Sequence, residues 1–148
     1  MVFLVWIILF AVTLVGAVAD NASFTVQPNQ KHSIKLNLRE TDRVDGSFSV
    51  LSDDNTGINF YVIDPAGNTI KRYDKVTHIN FWFVAQITGD YKLHFDNTFS
   101  QSYSKTIALN YNVVHFIMGM PQEQFLLIVI AVFIVIGLIA FALLSPKP

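Results

Sequence analysis

The fold of this chain is decided by the stretch Gly89-Asp90-Tyr91-Lys92-Leu93-His94-Phe95-Asp96-Asn97-Thr98-Phe99-Ser100. Its large apolar residues Tyr91, Leu93 and Phe95 are spaced by two, which places them on one face of a β-strand. Gly89 opens the stretch as a turn residue. Asp96-Asn97 end the strand abruptly, because their side chains bond nearby backbone amides. The stretch therefore predicts a core-facing strand followed by a turn.

Shorter alternating runs fill the rest of the middle of the chain. Residues 34–38 alternate strictly between apolar and polar. The runs around Phe60 and Phe81 are apolar on both faces, as in a central strand. Turn compositions such as residues 64–67, Asp-Pro-Ala-Gly, separate the runs at intervals typical of a sandwich. We therefore predict an all-β domain, an antiparallel β-sandwich of about seven or eight strands with Greek-key or jelly-roll connections.

The two ends of the chain are apolar. Residues 125–144 are 20 apolar residues without a charge, and a helix of that length, roughly 30 Å, spans a bilayer. Residues 1–19 end in Ala-Val-Ala, a sequence that signal peptidase accepts, so we expect cleavage after Ala19. The alternative is an uncleaved anchor helix, which would give a two-helix hairpin. Either arrangement predicts a single domain, residues 20–114, outside the cytoplasm, with residues 145–148 as the cytoplasmic tail.

Composition excludes some partners and favours others. Hydrophobic residues make up 52% of the chain and charged residues 14%. The middle of the chain holds 9 of the 10 bases and all 11 acids, a formal charge of about −2. That balance gives no basic surface for nucleic acid or for anionic lipid. The expected partners are the lipid bilayer itself and another protein, and the oligomeric state is not predicted.

Residues suited to catalysis are few. There is no cysteine, no serine in a nucleophile elbow, and no pair of histidines at metal-ligand spacing. Asp42 and Asp45 lie near Arg39 and Arg43 and are expected to be solvated loop charges. We therefore predict no enzyme and no cofactor.

Three binding or modification sites are nevertheless candidates. Asp53, Asp54 and Asn55, followed by a turn glycine, could bind Ca²⁺, although the same residues suit any exposed turn. Asn21 opens an Asn-Ala-Ser glycosylation triplet. Trp82 lies on the strand face opposite Phe81 and Phe83. It is a candidate recognition anchor if exposed, and a core residue if its strand buries both faces.

An apolar stretch, residues 113–120, runs into the segment between the domain and the membrane, residues 115–124. It could lie along the membrane surface and hold the domain close to the bilayer. Alternatively, it could continue the transmembrane helix back to Pro121.

The stretch from Gly89 to Ser100 resembles the GOLD (Golgi dynamics) domain of the transmembrane emp-type cargo receptors of the early secretory pathway. Residues 44–50, 60–68, 79–84 and 104–107 resemble further strands and the "V-x-D-P-x-G" hairpin of that domain. The similarity extends over roughly residues 24–113. It implies a β-sandwich, in which the family-signature residues Gly89, Tyr91, Phe95, Asp96 and Asn97 are structural.

Three features depart from the family pattern. The receptors carry a disulfide in this domain, whereas His94 occupies the position of one of the two cysteines. They also carry a long coiled coil before the membrane, for which residues 115–124 leave no room. The tail, Ser-Pro-Lys-Pro, lacks their coat-binding signals. These departures favour a short, prokaryotic or archaeal form of the domain over a receptor that cycles between compartments.

We therefore expect a membrane-anchored extracytoplasmic GOLD-like binding or adaptor domain, with cargo or trafficking roles implied by the resemblance alone. The alternative is a structural accessory subunit of a larger membrane complex, using residues 125–144 as packing surface. That helix has no small-xxx-small pair, the pattern that typically supports close helix packing.

Overall fold

The computed structural model of the chain describes residues 19–145. Its main domain contains β1 (Ala19–Val26), β2 (Lys31–Leu38), β3 (Arg43–Leu51), β4 (Ile58–Ile63), β5 (Thr69–Val76), β6 (His78–Val84), β7 (Gly89–Asp96) and β8 (Lys105–Val114). The short strands β9 (Phe116–Ile117) and β10 (Met120–Pro121) precede helix α1 (Gln122–Leu144). The predicted signal or anchor segment lies outside the described residues, apart from Ala19.

Two four-stranded antiparallel sheets form the main domain, with strand orders β1-β8-β3-β6 and β2-β7-β4-β5. This is the strand order of an eight-stranded jelly roll, in which each sheet combines strands from distant parts of the chain. The first and last strands of the domain are neighbours: Ala22 is paired with Leu109. The predicted antiparallel β-sandwich is confirmed.

The core forms where the inner faces of the two sheets meet. Tyr91, Leu93 and Phe95 are each at most 1% exposed, as their spacing predicts. The ring of Phe95 lies 5.2 Å from that of Phe48 and 5.0 Å from that of Phe60, measured between centroids. Burying one such side chain contributes about 2–3 kcal/mol, and an aromatic pair adds about 1 kcal/mol. The decisive stretch therefore supplies the centre of the core.

The two strands with apolar residues on both faces occupy different places. β4 lies between β7 and β5, a central position, and Tyr61 on its outer face is half-buried. β6 lies at the edge of the other sheet. Its inner residues Phe81 and Phe83 are buried, whereas Trp82 and Val84 face outward. β6 is therefore not a central strand, and the apolar residues on its outer face are not buried.

Gly89, the first residue of β7, lies next to the turn formed by residues 64–67. Its φ of +149° favours glycine, and a Cβ there would lie 2.9 Å from the Pro65 side chain. The predicted turn is also present, since the Gly67 N–H donates to the Asp64 carbonyl at 3.0 Å. The first residue of the signature stretch thus permits this turn to approach β7 closely.

A second compact unit begins at Phe116. Its strands β9 and β10 form a hairpin whose turn residues Met118 and Gly119 have φ values of 53° and 80°. Helix α1 begins at Gln122, directly after Pro121, so the helix extends back from residue 125 as far as Pro121, and residues 116–121 form the hairpin instead of further helix. Positive φ at both turn residues is incompatible with a helix but is what a tight hairpin turn requires.

Helix α1 is the one helix among residues 19–145 that is long and apolar enough to cross a membrane. Its 23 residues correspond to about 35 Å of helix. None of its side chains is buried within the protein. The hydroxyl of Ser145 donates to the Phe141 carbonyl at 2.7 Å and satisfies one acceptor at the end of the helix.

Candidate functional site

Trp82 lies on the outer face of the edge strand β6 and is 54% exposed. It borders a groove of about 560 Å³ between the β4–β5 turn and the loop that follows β6. Three further exposed apolar side chains line this Trp82 groove: Ile70 at 36%, Val84 at 41% and Ile87 at 44% exposure. Contiguous apolar exposure of this kind is typical of a binding surface.

Two cations lie over the Trp82 ring. The Arg43 guanidinium carbon is 5.2 Å from the ring centroid, and the Lys71 Nζ is 5.1 Å from it. Both distances are within the range of a cation–π interaction, worth about 0.5–1 kcal/mol at an exposed site. Arg43 also forms an ion pair with Asp45 at 2.7 Å. These contacts hold the indole in place while leaving about half of it accessible.

The loop at one end of the groove is fixed by Tyr91. Its hydroxyl accepts hydrogen bonds from the backbone N–H groups of Gln86 (3.0 Å) and Ile87 (3.3 Å). It donates to the Ile87 carbonyl at 3.1 Å. Because Tyr91 is 1% exposed, its ring anchors these bonds in the core. The signature tyrosine thus connects the core directly to the wall of the groove.

Asp96 and Asn97 fix the turn after β7 at the other end of the domain. The Asp96 carboxylate accepts from the Thr98 backbone and hydroxyl and lies 2.9 Å from the Lys31 ammonium. Burial opposes its ionisation, but the hydrogen bonds from Thr98 and Lys31 together keep the pKa of Asp96 below its usual value. Asp96 therefore stabilises the turn after β7.

The Asn97 side chain is completely buried and connects three chain segments. Its Nδ2 donates to the carbonyls of Val26 (3.3 Å), Gln27 (3.2 Å) and Tyr103 (2.9 Å). Within the described part of the chain its Oδ1 has no hydrogen-bond partner. One amide group thus satisfies the backbone where β1 ends and where β8 is about to begin.

The turn that is the candidate Ca²⁺ site is already in contact with a cation of the protein, the ammonium of Lys105 on β8. The Lys105 side chain is completely buried, and its ammonium lies 2.5 Å from the Asp54 carboxylate. It also donates to the hydroxyls of Ser52 and Thr56. The bond from Lys105 is the main reason that the pKa of Asp54 lies well below its usual value. Calcium at Asp53, Asp54 and Asn55 remains a prediction, and it would have to compete with this ammonium.

Among residues 19–145, no group of three or more histidine, cysteine, aspartate or glutamate side chains is arranged to hold a metal ion. Asp42 differs from its predicted surroundings: it is 1% exposed, so the interpretation as a solvated loop charge is wrong. Its carboxylate accepts from the Arg39 N–H at 2.8 Å and lies 2.9 Å from Nδ1 of His115. The hydrogen bond compensates in part for the loss of water around the carboxylate.

Two further residues singled out in the sequence lie on sheet faces. Asn21 is exposed on the edge strand β1, and its Oδ1 accepts from Asn110 Nδ2 at 2.6 Å. The Asn21 Nδ2, the atom that a glycan would modify, is not used in that bond. His94 is half-buried, stacks on Tyr61 and bonds Ser33 at 2.7 Å. Burial lowers the pKa of His94, with Lys92 and Lys31 adding to that effect.

Sequence reasoning identified Trp82 but missed Lys71 and Lys105. Lys71 reaches Trp82 from β5, in the opposite sheet, and residues 71 and 82 are not near each other in any local pattern. Lys105 comes two residues before Ile107 and four before Leu109, so on one strand all three side chains point to the same face. This spacing is a signal that could have predicted the burial of Lys105.

Comparison with known proteins gives a consistent result. The sequence model of the emp24/gp25L/p24 family/GOLD matches residues 21–125. The chain is 28% identical over 124 residues to transmembrane emp24 domain-containing protein p24beta3 of Arabidopsis thaliana, covering 79% of this chain and 55% of that protein. It is 27% identical over 94 residues to transmembrane emp24 domain-containing protein 3 of Rattus norvegicus, covering 64% and 39%. The chain thus spans about half the length of these relatives, or less.

Solved structures show a more distant likeness. A periplasmic inhibitor of g-type lysozyme, PliG, from Aeromonas hydrophila has a TM-score of 0.49 and 13% identity, over 66% of this chain and 88% of that one. The pre-peptidase C-terminal domain of a Bacillus anthracis collagenase has a TM-score of 0.44 and 19% identity, over 64% and 88%. At this level the likeness says nothing about what the chain binds.

Proposed function

The chain belongs to the emp24/gp25L/p24 family/GOLD, and on that premise we propose that its jelly roll is a membrane-anchored binding domain that engages another protein in membrane traffic. The jelly roll lies outside the cytoplasm in this proposal, and α1 crosses the bilayer once. The observation that supports binding is the half-exposed Trp82 in a groove with three other exposed apolar side chains. Tryptophan is one of the residue types enriched at the energetic centre of protein interfaces.

Site-specific crosslinking tests the role of this surface. A photoreactive amino acid is placed at Asn80, which is exposed and two residues before Trp82 on the same face of β6. We expect a covalent adduct with one other protein in native membranes, lost when Trp82→Ala is added. The matched control carries the photoreactive group at Lys92, exposed on β7 of the other sheet.

The outcomes separate two roles. An adduct at position 80 that depends on Trp82 supports the binding domain. Adducts only from helix positions such as Phe133, with stoichiometric co-purification of one complex, would instead favour a structural accessory subunit.

Orientation has an independent test, because the chain contains no cysteine. A single Ser104→Cys, in the exposed loop before β8, should react with a membrane-impermeant maleimide either on intact cells or, if the protein lies in an internal compartment, only once the internal membranes are opened as well. Labelling that appears when the plasma membrane alone is permeabilised, with internal membranes still sealed, would place the jelly roll in the cytoplasm and would contradict the proposal.

A further inference from the structure

The outer edge of β6 has backbone groups available for pairing. Ala85 directs both its N–H and its C=O toward the β3 side, where they bond Asp42 and Thr41 at 2.8 Å each. In an antiparallel ladder this direction alternates from residue to residue. The N–H and C=O groups of Trp82 and Val84 therefore point to the opposite edge, where no strand of residues 19–145 pairs with them.

These two residues also present their side chains to the Trp82 groove. A segment paired with the edge of β6 would therefore have alternate side chains directed toward Ile70, Val84 and Ile87, which are 36% to 44% exposed. Side chains at every second position would face this wall, because the period of an extended strand is two.

The charge at the groove selects among possible segments. Arg43 is paired with Asp45, whereas Lys71 makes no ion pair within the part of the chain that the structure describes. The one carboxylate that lines the groove, Asp64, is held by the Asn68 side chain at 3.1 Å and its backbone N–H at 2.7 Å. Bonds from the Asn68 side chain and backbone lower the pKa of Asp64. Asp64 stays ionised, but its oxygens are bonded to Asn68, and among the described residues Lys71 has no carboxylate within ion-pair distance, so an acidic side chain of the occupant could pair with Lys71.

We propose that the β6 edge and the Trp82 groove bind an extended segment of another protein that carries a carboxylate side chain beside alternating apolar residues. This proposal rests on the proposed function and specifies the partner's chemistry. The segment adds a strand next to β6, places its apolar side chains against Ile70, Val84 and Ile87, and directs its carboxylate to Lys71. Backbone pairing supplies affinity, and the groove supplies specificity, as in other modes of strand addition.

The test uses the full-length chain in lipid nanodiscs and a phage library of random 12-residue peptides as the probe. We expect enriched peptides to alternate apolar residues and to contain aspartate or glutamate. A synthetic peptide of that class is then titrated against the Trp6→Phe protein, in which Trp82 is the remaining tryptophan and reports binding by fluorescence. Lys71→Glu should weaken binding by about tenfold or more. The control Lys92→Glu, which makes the same charge change on β7, should leave binding within about twofold.

Strand addition can also be tested by changing the peptide, because a change in the peptide cannot unfold the protein. Methylation of successive backbone amides of the peptide should weaken binding at alternate positions only, by about tenfold or more, because only alternate amides face β6. On the protein side, Val84→Pro removes an edge-facing N–H and should reduce binding more than Val84→Thr, which changes the same side chain but keeps the N–H.

Several results would overturn the proposal. These are no enrichment, enrichment of basic or neutral peptides, and equal sensitivity to methylation at every position. Self-association of the chain that Val84→Pro abolishes would assign the edge to a second copy instead. A Trp82-dependent adduct in native membranes without peptide binding would leave the proposed function standing and reject only this inference.

Discussion

The ammonium of Lys105 lies 2.5 Å from the carboxylate of Asp54, and the lysine side chain has no exposed surface. The pair connects the start of β8 to the turn between β3 and β4. Removing one partner of such a pair leaves the other without compensation, which costs far more than loss of a surface ion pair. This contact therefore leads directly to a test of stability.

Lys105→Met should lower the thermal midpoint of the jelly roll by about 10 °C, because Asp54 and the hydroxyls of Ser52 and Thr56 lose their common donor. Circular dichroism melting of the full chain in detergent measures the change. Lys92→Met, an exposed lysine on β7, is the control and should melt close to the unchanged protein. Equal melting of both variants would show that the buried pair does not stabilise the fold.

Acid should destabilise the domain through Asp54. Its folded pKa is depressed, chiefly by the bond from Lys105. Its contribution is therefore present above the unfolded pKa of about 3.9 and is lost as the pH falls toward the folded value. Urea midpoints measured from pH 7 down to pH 3 should fall less steeply for Asp54→Asn than for the unchanged chain. The control is Asp53→Asn in the same turn; if its slope is reduced by the same amount, Asp54 is not the group responsible.

Asn97→Ala should lower the free energy of unfolding by about 2–3 kcal/mol, since three backbone carbonyls lose a buried donor. Chemical denaturation provides the measurement. Asn110→Ala, an exposed asparagine on β8, should change stability by less than about 0.5 kcal/mol. A small effect at position 97 would mean that water replaces the amide at these carbonyls.

Tyr91→Phe should cost about 1 kcal/mol and loosen the loop at the groove, because Gln86 and Ile87 lose the acceptor of their N–H groups. Hydrogen exchange of the Gln86 and Ile87 amides should accelerate, while the core of β7 stays protected. Tyr73→Phe, a half-buried tyrosine on β5, is the matched control. Unchanged exchange at both amides would contradict the role assigned to the hydroxyl.

The local sequence pattern predicted where the strands lie better than it predicted which strands pair with each other. Alternation placed Tyr91, Leu93 and Phe95 in the core because side-chain direction depends only on strand period. It could not distinguish the central strand β4 from the edge strand β6, since both have apolar residues on both faces. Which strand lies at an edge depends on pairing between distant segments, such as Ala22 with Leu109. β6 pairs with β3 only among the described strands, so the outward-facing Trp82 has a neighbouring strand on one side alone.

The candidate site could be predicted only in part, because a local pattern gives the direction of a side chain but not its contacts with the other sheet. Trp82 was identified from its position between two core phenylalanines, but Lys71 belongs to the other sheet and reaches Trp82 only after the sandwich forms. Asp42 resembled a loop charge in sequence, and its burial depends on the approach of Arg39 and His115.

By itself, the sequence determined the β-strands, the turn chemistry of Asp64 to Gly67 and the apolar helix, because strand period, turn propensity and hydrophobic length are local properties. Tertiary structure alone decided that the Lys105 ammonium meets the Asp54 carboxylate and that, among residues 19–145, β6 keeps an unpaired edge beside Lys71. These features depend on which distant segments meet. Their free energies come from desolvation and pairing across the fold, which no short window of sequence contains.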